Sequence, residues 1–304
     1  MRLSTRKSAL ALWQAETTAD FLRGVDPQAE VELVGITSKG DADRVQPLSR
    51  LGRIGVFTVE VDRAVQDGSA DLAVHSLKDM LTTLDPDLVL AGVLPRGPVE
   101  DALVAAPGMK LVDLPRGARL ATGSLRRAAT ARSLRPDLEV VDIRGNVETR
   151  LEKWRSGEAD ALILARAGLE RLGLDEAISE VLDVRRFVPA VGQGIVGLVC
   201  RADDEATRRR AAAISDLETM DEALAERAFL RALRGGCNVP AAGHARVVEN
   251  ALTLTGRVMS VDGSEVLEDS IGGSRDEAEA LGERLAAQLA ARGAGELIAA
   301  AREL

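Results

Sequence analysis

The chain has 304 residues, 46% hydrophobic and 29% charged, which suits a globular protein of two or three domains. A net charge of −9 argues against general nucleic-acid binding, two cysteines exclude a disulfide framework, and two histidines (His75 and His244) exclude a multi-histidine metal site. No apolar run reaches the ~18 residues of a membrane span and the N-terminus lacks the apolar core of a signal peptide, so a cytoplasmic protein without membrane or metal is expected.

In chain order, Ser8 to Leu22 and Phe57 to Val65 have helical spacing, with Leu12, Ala15, Ala19 and Leu22 on one face. Val31 to Ile36, Asp71 to Val74 and Leu88 to Val93 are strand-like. From about residue 95 the pattern restarts: Ala102 to Ala105, Leu120-Ala121, Val140 to Ile143 and Ala161 to Leu164 alternate with helices from Leu125 and Val147. This alternation predicts parallel sheets with ligands at the strand ends. Gly197 to Cys200 is a further strand, where the chain is expected to return to the first domain. A helix from Met220 to Leu233 then leads into the loop Arg234-Gly235-Gly236-Cys237-Asn238-Val239-Pro240. A hairpin follows, Ala251 to Ser260 and Glu265 to Asp269 around an Asp262-Gly263 turn. The last helix opens with a capping box, Ser274 with Glu277, and carries Leu281, Leu285 and Leu289 on one face. The expected organisation is two α/β domains, 1–94 with 195–214 and 95–194, and a small α+β domain over 215–304.

Five of the 39 basic residues are lysine and the rest arginine. A GC-rich coding bias and a need for guanidinium forks that grip carboxylates both produce this, and only position separates them. Thr122-Gly123-Ser124-Leu125-Arg126-Arg127 leaves a strand and enters a helix, with Ser124 as N-cap. Cations in that first turn oppose the helix dipole, which fits an anion site; two solvated arginines are the alternative. Arg144-Gly145-Asn146-Val147-Glu148-Thr149-Arg150 repeats the device, and Arg6 and Lys7 precede a helix beginning at Ser8. Three cationic helix entries predict a polyanionic ligand held between domains.

His75-Ser76-Leu77-Lys78-Asp79 follows a strand. An ionised Asp79 at a strand end is placed to stabilise a substrate cation; the alternative is a surface ion pair with Lys78 worth under ~1 kcal/mol. His75 is expected to be a structural hydrogen-bonder. Cys237 is either a reactive thiol or an inert small hydrophobe, and Cys200 has the setting of a buried strand residue. Gly192-Gln193-Gly194-Ile195-Val196-Gly197 matches G-x-G-x-x-G, but a strand follows where a nicotinamide site needs a helix.

Taken together, these stretches resemble the porphobilinogen deaminase (hydroxymethylbilane synthase) family of tetrapyrrole biosynthesis. The resemblance runs in order through Thr5-Arg6-Lys7-Ser8-Ala9-Leu10-Ala11, Lys39-Gly40-Asp41, His75-Ser76-Leu77-Lys78-Asp79, Ser124-Leu125-Arg126-Arg127 and Arg144-Gly145-Asn146-Val147. It continues through Ala167-Gly168-Leu169, Pro189-Ala190-Val191-Gly192-Gln193-Gly194 and Gly235-Gly236-Cys237, covering nearly the whole chain. It implies two periplasmic-binding-protein-like (type II) α/β domains plus a small α+β C-terminal domain bearing the cysteine. The activity implied is condensation of porphobilinogen units head to tail, with loss of ammonia, into linear hydroxymethylbilane. A dipyrromethane cofactor built from the substrate would be held by a thioether to Cys237, and Asp79 would be the catalytic carboxylate. Arg6, Ser8, Arg126, Arg127, Arg144, Arg150 and Arg171 would bind the acetate and propionate arms of cofactor and growing chain. Lys78, Ser76, Thr122, Ser124, Gly145 and Gln193 would line the same cleft. A monomer with no partner besides porphobilinogen is implied.

Three positions depart from the family's usual pattern. Ile54 stands for a lysine, Leu81 for a proline and Glu148 for a glycine, all bearing on loop closure or chain elongation. A binding protein of the same architecture would explain the arginines, but it needs neither Cys237 nor Asp79. A dehydrogenase is a distant third reading.

Overall fold

The first strand, β1 (Arg2–Arg6), is interior to its sheet yet carries two fully buried hydroxyl residues, Ser4 and Thr5. Ser4 Oγ donates to Val61 O at 3.0 Å and Thr5 Oγ1 to Ala11 O at 3.1 Å, so neither hydroxyl is left unsatisfied. That polar content hides the strand from an apolar pattern, and none is anticipated there from the sequence.

The protein was studied as a computed structural model that describes residues 1–38, 58–236 and 239–303. They form two units, Met1–Gly97 with Gly194–Ala223 and Pro98–Gln193 with Leu224–Leu304. Strands are labelled in chain order.

In the first unit the sheet order is β2 (Glu32–Ile36), β1, β3 (Leu72–Ser76), β10 (Val196–Arg201) and β4 (Leu88–Val93). β1 pairs parallel with β2 and β3, whereas β10 runs antiparallel between β3 and β4. Successive residues feed opposite faces. Leu72, Val74 and Leu198 join Ala15, Ala19 and Leu22 of the helix Ala9–Val25, while Ala73 and Val199 join Val61 and Val65 of the helix Val59–Gln66. Both faces are therefore buried, which is why these strands are near-continuous apolar runs.

In the second unit the order β7 (Glu139–Val141), β6 (Arg119–Ala121), β8 (Ala161–Ala165), β5 (Asp101–Val104), β9 (Glu180–Val181) repeats that arrangement. β6 is parallel to β7 and β8, and β5 is antiparallel to β8 and β9. The same unit holds a three-stranded antiparallel sheet, β11 (Ala241–Val248), β12 (Ala251–Met259) and β13 (Val266–Ser274). Its core joins Leu252, Leu254 and Val258 to Phe229 of the helix Leu217–Ala232 and to Leu281, Leu285 and Leu289. The chain is thus α/β, with two mixed five-stranded sheets and a small antiparallel C-terminal domain, the fold class the resemblance implied.

Two local expectations are refined. The expected hairpin is present as β12 and β13 and gains a third strand, β11, whose alanines and glycine give little strand signature. Ser274 caps a short 3-10 turn, Arg275–Glu277, accepting from Asp276 N at 3.3 Å, and the terminal helix is two helices, Ala278–Ala290 and Ala294–Arg302.

Candidate functional site

In the first unit the apolar strand β3 ends at Ser76 and tightens into a 3-10 turn, Leu77–Asp79. Buried Leu77 anchors it: its N–H donates to Ile195 O at 3.0 Å and its carbonyl accepts from Met80 N at 3.1 Å. The turn leaves Lys78 and Asp79 partly exposed. Arg6 closes β1, and Ser8 caps the following helix, its Oγ accepting from Ala11 N at 3.4 Å. Further along the same helix, buried Gln14 donates through Nε2 to Ser76 Oγ at 2.8 Å. Arg6, Ser8, Gln14, His75, Ser76 and Asp79 line one cavity of about 60 Å³. His75 is the structural hydrogen-bonder anticipated, buried and sharing a 2.8 Å hydrogen bond between Nε2 and Asp62 Oδ1.

In the second unit Ser124 caps the helix Leu125–Leu134, accepting from Arg127 N at 3.4 Å, and buried Thr122 accepts from Ser124 N at 3.2 Å. Arg126 and Arg127 are not solvated: they are 3% and 6% exposed, packed around Asp101, which is 0% exposed. Arg126 Nη1 donates to Asp101 Oδ2 at 2.7 Å and to Val188 O at 2.9 Å. Arg127 donates to Asp101 Oδ1 from Nε at 3.0 Å and from Nη2 at 2.8 Å. Gln193 Nε2 adds a third donor to Oδ1 at 2.9 Å and also reaches Val99 O at 2.7 Å. Burial alone would raise the Asp101 pKa, but the charges of Arg126 and Arg127 outweigh it and hold the carboxyl well below the usual carboxylate range. Burial lowers the Arg126 pKa with Asp101 opposing, and a guanidinium stays charged throughout.

In the second cationic loop Asn146 is the helix cap anticipated. Asn146 Oδ1 accepts from Thr149 N at 2.9 Å, and Arg150 Nε donates to Gly145 O at 2.8 Å. Gly145 has φ +118°, and a Cβ there would lie 2.7 Å from Thr149 Cγ2, so glycine is required twice over. Arg144 and Arg150 are partly exposed, and Glu148 is exposed in the first helical turn, where a negative charge suits the dipole. Arg171 ends the helix Arg166–Arg171, its pKa lowered by burial. Cys237, together with Lys39-Gly40-Asp41 and Ile54, lies outside the described residues.

Sequence reasoning missed Gln14 and Asp101. Each had a signal: Gln14 interrupts the small-residue face of its helix, and Asp101 is a lone charge opening an apolar strand. A larger cavity of about 370 Å³, lined by Arg132, Val261, Leu297 and Ala300, contains none of the predicted residues. Its one guanidinium is engaged, Arg132 Nη1 donating to Val261 O at 2.9 Å, which leaves mostly apolar walls and a poor fit to carboxylates.

Residues 1–209 match the family model described as porphobilinogen deaminase, dipyromethane cofactor binding domain, and residues 220–291 match the porphobilinogen deaminase C-terminal domain. The chain belongs to the porphobilinogen deaminase family. It is 47% identical to the porphobilinogen deaminase of Syntrophotalea carbinolica over 300 residues, covering 99% of this chain and 95% of that one. With the porphobilinogen deaminase of Roseiflexus castenholzii it shares 45% identity over 98% of both chains. Among solved structures, the aliphatic sulphonate binding protein SsuA of Escherichia coli is 18% identical, covering 77% of this chain and 70% of that one with a TM-score of 0.42, a likeness too slight to carry an argument. The activity is that of a porphobilinogen deaminase (hydroxymethylbilane synthase), a transferase of tetrapyrrole biosynthesis that works with a dipyrromethane cofactor. No helix among the described residues is long and apolar enough to cross a membrane.

Proposed function

We propose that Asp79 is the catalytic carboxylate of this deaminase and that Cys237 is the attachment point of its dipyrromethane. The observation that carries the first assignment is the pinned turn Leu77–Asp79, which holds a carboxylate in the same cavity as Arg6, Ser8 and Ser76. A fixed carboxylate accepts a hydrogen bond from the pyrrole N–H of porphobilinogen. When ammonia leaves the side-chain methylene, the C–N bond breaks and positive charge spreads onto that nitrogen, where the negative charge of Asp79 is already in place. The methylene carbon then forms the new C–C bond, and the ring carbon it attaches to gives up its proton. Arg6 and Ser8 are assigned to the acetate and propionate arms of the substrate, together with Arg144, Arg150, Arg171 and Gln193. Lys78, Ser76, Thr122, Ser124, Arg126, Arg127 and Gly145 are assigned to the cofactor, with Arg144 serving both.

The residues fit such a group. Dipyrromethane carries carboxylate arms, and Arg126 Nε is buried without a hydrogen-bond partner among the described residues, a donor awaiting an acceptor. When bound, the cofactor supplies the primer on which the chain is begun. The three-domain division, 1–94 with 195–214, 95–194 and 215–304, is supported by three separate sheets and by a break between family models at residues 209 and 220. A reducing cytoplasm suits the free thiol of Cys200, and a monomer suits a small-molecule substrate.

The test is the intact mass of the purified protein and of Cys237→Ser. An excess of two deaminated porphobilinogen units, lost in the variant, supports the attachment site. Unchanged loading of the variant refutes it.

A further inference from the structure

We infer that Asp101 is a positioning residue for carboxylate binding: it fixes Arg126 and Arg127 and cancels one of their two charges, so that the cluster presents one unbalanced positive charge to one ligand carboxylate. This rests on the proposed role of the two arginines.

The geometry carries the inference. Asp101 opens β5 with its side chain fully buried, and both of its oxygens are used, Oδ2 by Arg126 and Oδ1 by Arg127 and Gln193. Two guanidinium groups on consecutive residues repel each other, and a shared carboxylate is what holds them together in a site that water does not reach. Arg127 is gripped through Nε and Nη2 at 3.0 and 2.8 Å, which fixes the plane of its guanidinium as well as its position. The count is one negative group against two positive ones. Arg257, whose charge also reaches Arg126, is itself paired with Glu268 and does not alter it. A buried unbalanced charge is costly, so a ligand carboxylate that neutralises it is held more tightly than by a solvated arginine. Arg126 Nε, buried and without a hydrogen-bond partner among the described residues, is the independent sign that this cluster has room for a further acceptor.

The experiment compares Asp101→Asn, Asp101→Glu, Arg126→Gln and Arg127→Gln with the holoenzyme. It measures cofactor loading by intact mass, KM and kcat, and the thermal midpoint with and without sulfate. Asp101→Asn is expected to lower kcat/KM by about tenfold or more, to load less cofactor, and to gain more thermal stability from sulfate than the parent does, since it buries two unbalanced charges. Asp101→Glu, which keeps the charge, is expected to recover much of each property. A variant Asp101→Asn that is merely less stable, equally so in every salt, with normal loading and KM, overturns the inference. If Asp101→Asn does not fold, the double variant Asp101→Asn/Arg126→Gln decides: restoring a single unbalanced charge should restore folding, and failure to do so overturns the charge argument. If the arginine variants load cofactor and bind substrate normally, the proposed carboxylate role falls and takes this inference with it. If they do not but Asp101→Asn does, only this inference falls.

Discussion

Gly243 and Gly256 are register partners across β11 and β12, and both give up their Cβ space to the ring of Phe229. A Cβ on Gly256 would lie 2.6 Å from Phe229 Cζ, and one on Gly243 would lie 2.9 Å from Val191 Cγ2 and 3.2 Å from Phe229 Cδ1. Phe229 belongs to the helix Leu217–Ala232, so this packing anchors that helix against the three-stranded sheet. Glu226 on the same helix reinforces it, accepting from Gly192 N at 2.6 Å and from Ala245 N at 2.7 Å. Gly256→Ala is expected to overpack this core and cost about 1–3 kcal/mol, read as a lowered midpoint in urea. An unchanged midpoint would show that Phe229 has room to move.

Asp79→Asn keeps the shape of the side chain and removes its charge. Turnover is expected to fall by at least about 100-fold, because the transition-state cation loses its fixed counter-charge. The thermal midpoint should stay where it was, since Asp79 is partly exposed on a turn anchored by its neighbours. Product formation near the parent rate would remove Asp79 from the mechanism.

Cys200 is fully buried in β10, and burial pushes its thiol up to about 11. At pH 8 it is therefore both protonated and inaccessible. Iodoacetamide is expected to leave Cys200 unmodified in the folded protein and to label it in urea, with peptide mapping as the readout. Rapid labelling of the native protein would contradict the packing of β10 between β3 and β4.

Asp101 also predicts how stability changes in acid. Its folded-state pKa lies below its unfolded value, so the stability it contributes is fully present above the unfolded pKa of ~3.9 and is lost as pH falls through the folded one. Asp101→Asn has no such proton to take up. The parent should be more stable at neutral pH, and the gap between the two should narrow as the pH drops below about 4, in thermal melts taken from pH 7 to pH 2. A gap that stays constant over that range would mean that Asp101 is not ionised in the folded protein.

Much of the architecture was legible in order along the chain. Strands such as Ala161–Ala165 and Val196–Arg201 are apolar on both faces because helices or loops cover both sides of their sheets, and apolar runs of that length need no tertiary knowledge to find. β1 escaped because Ser4 and Thr5 meet their hydrogen-bonding needs with carbonyls of other elements, and β11 escaped because its glycine answers to an aromatic ring fourteen residues earlier in the chain.

For the site, residue types and their local settings came from the sequence alone: a strand-end Asp79, Ser124 and Asn146 as caps, and arginines at helix entries. These depend on neighbours within a few residues, and caps and turns are short-range structures. What only the tertiary structure decided is where the charges of Arg126 and Arg127 go. Both were readable as cations facing a ligand or water, but the fold brings Asp101 to them from a strand some 25 residues earlier in the chain. Electrostatic balance in a buried cluster depends on through-space distance and on exclusion of water, and neither is written in the local order of residues.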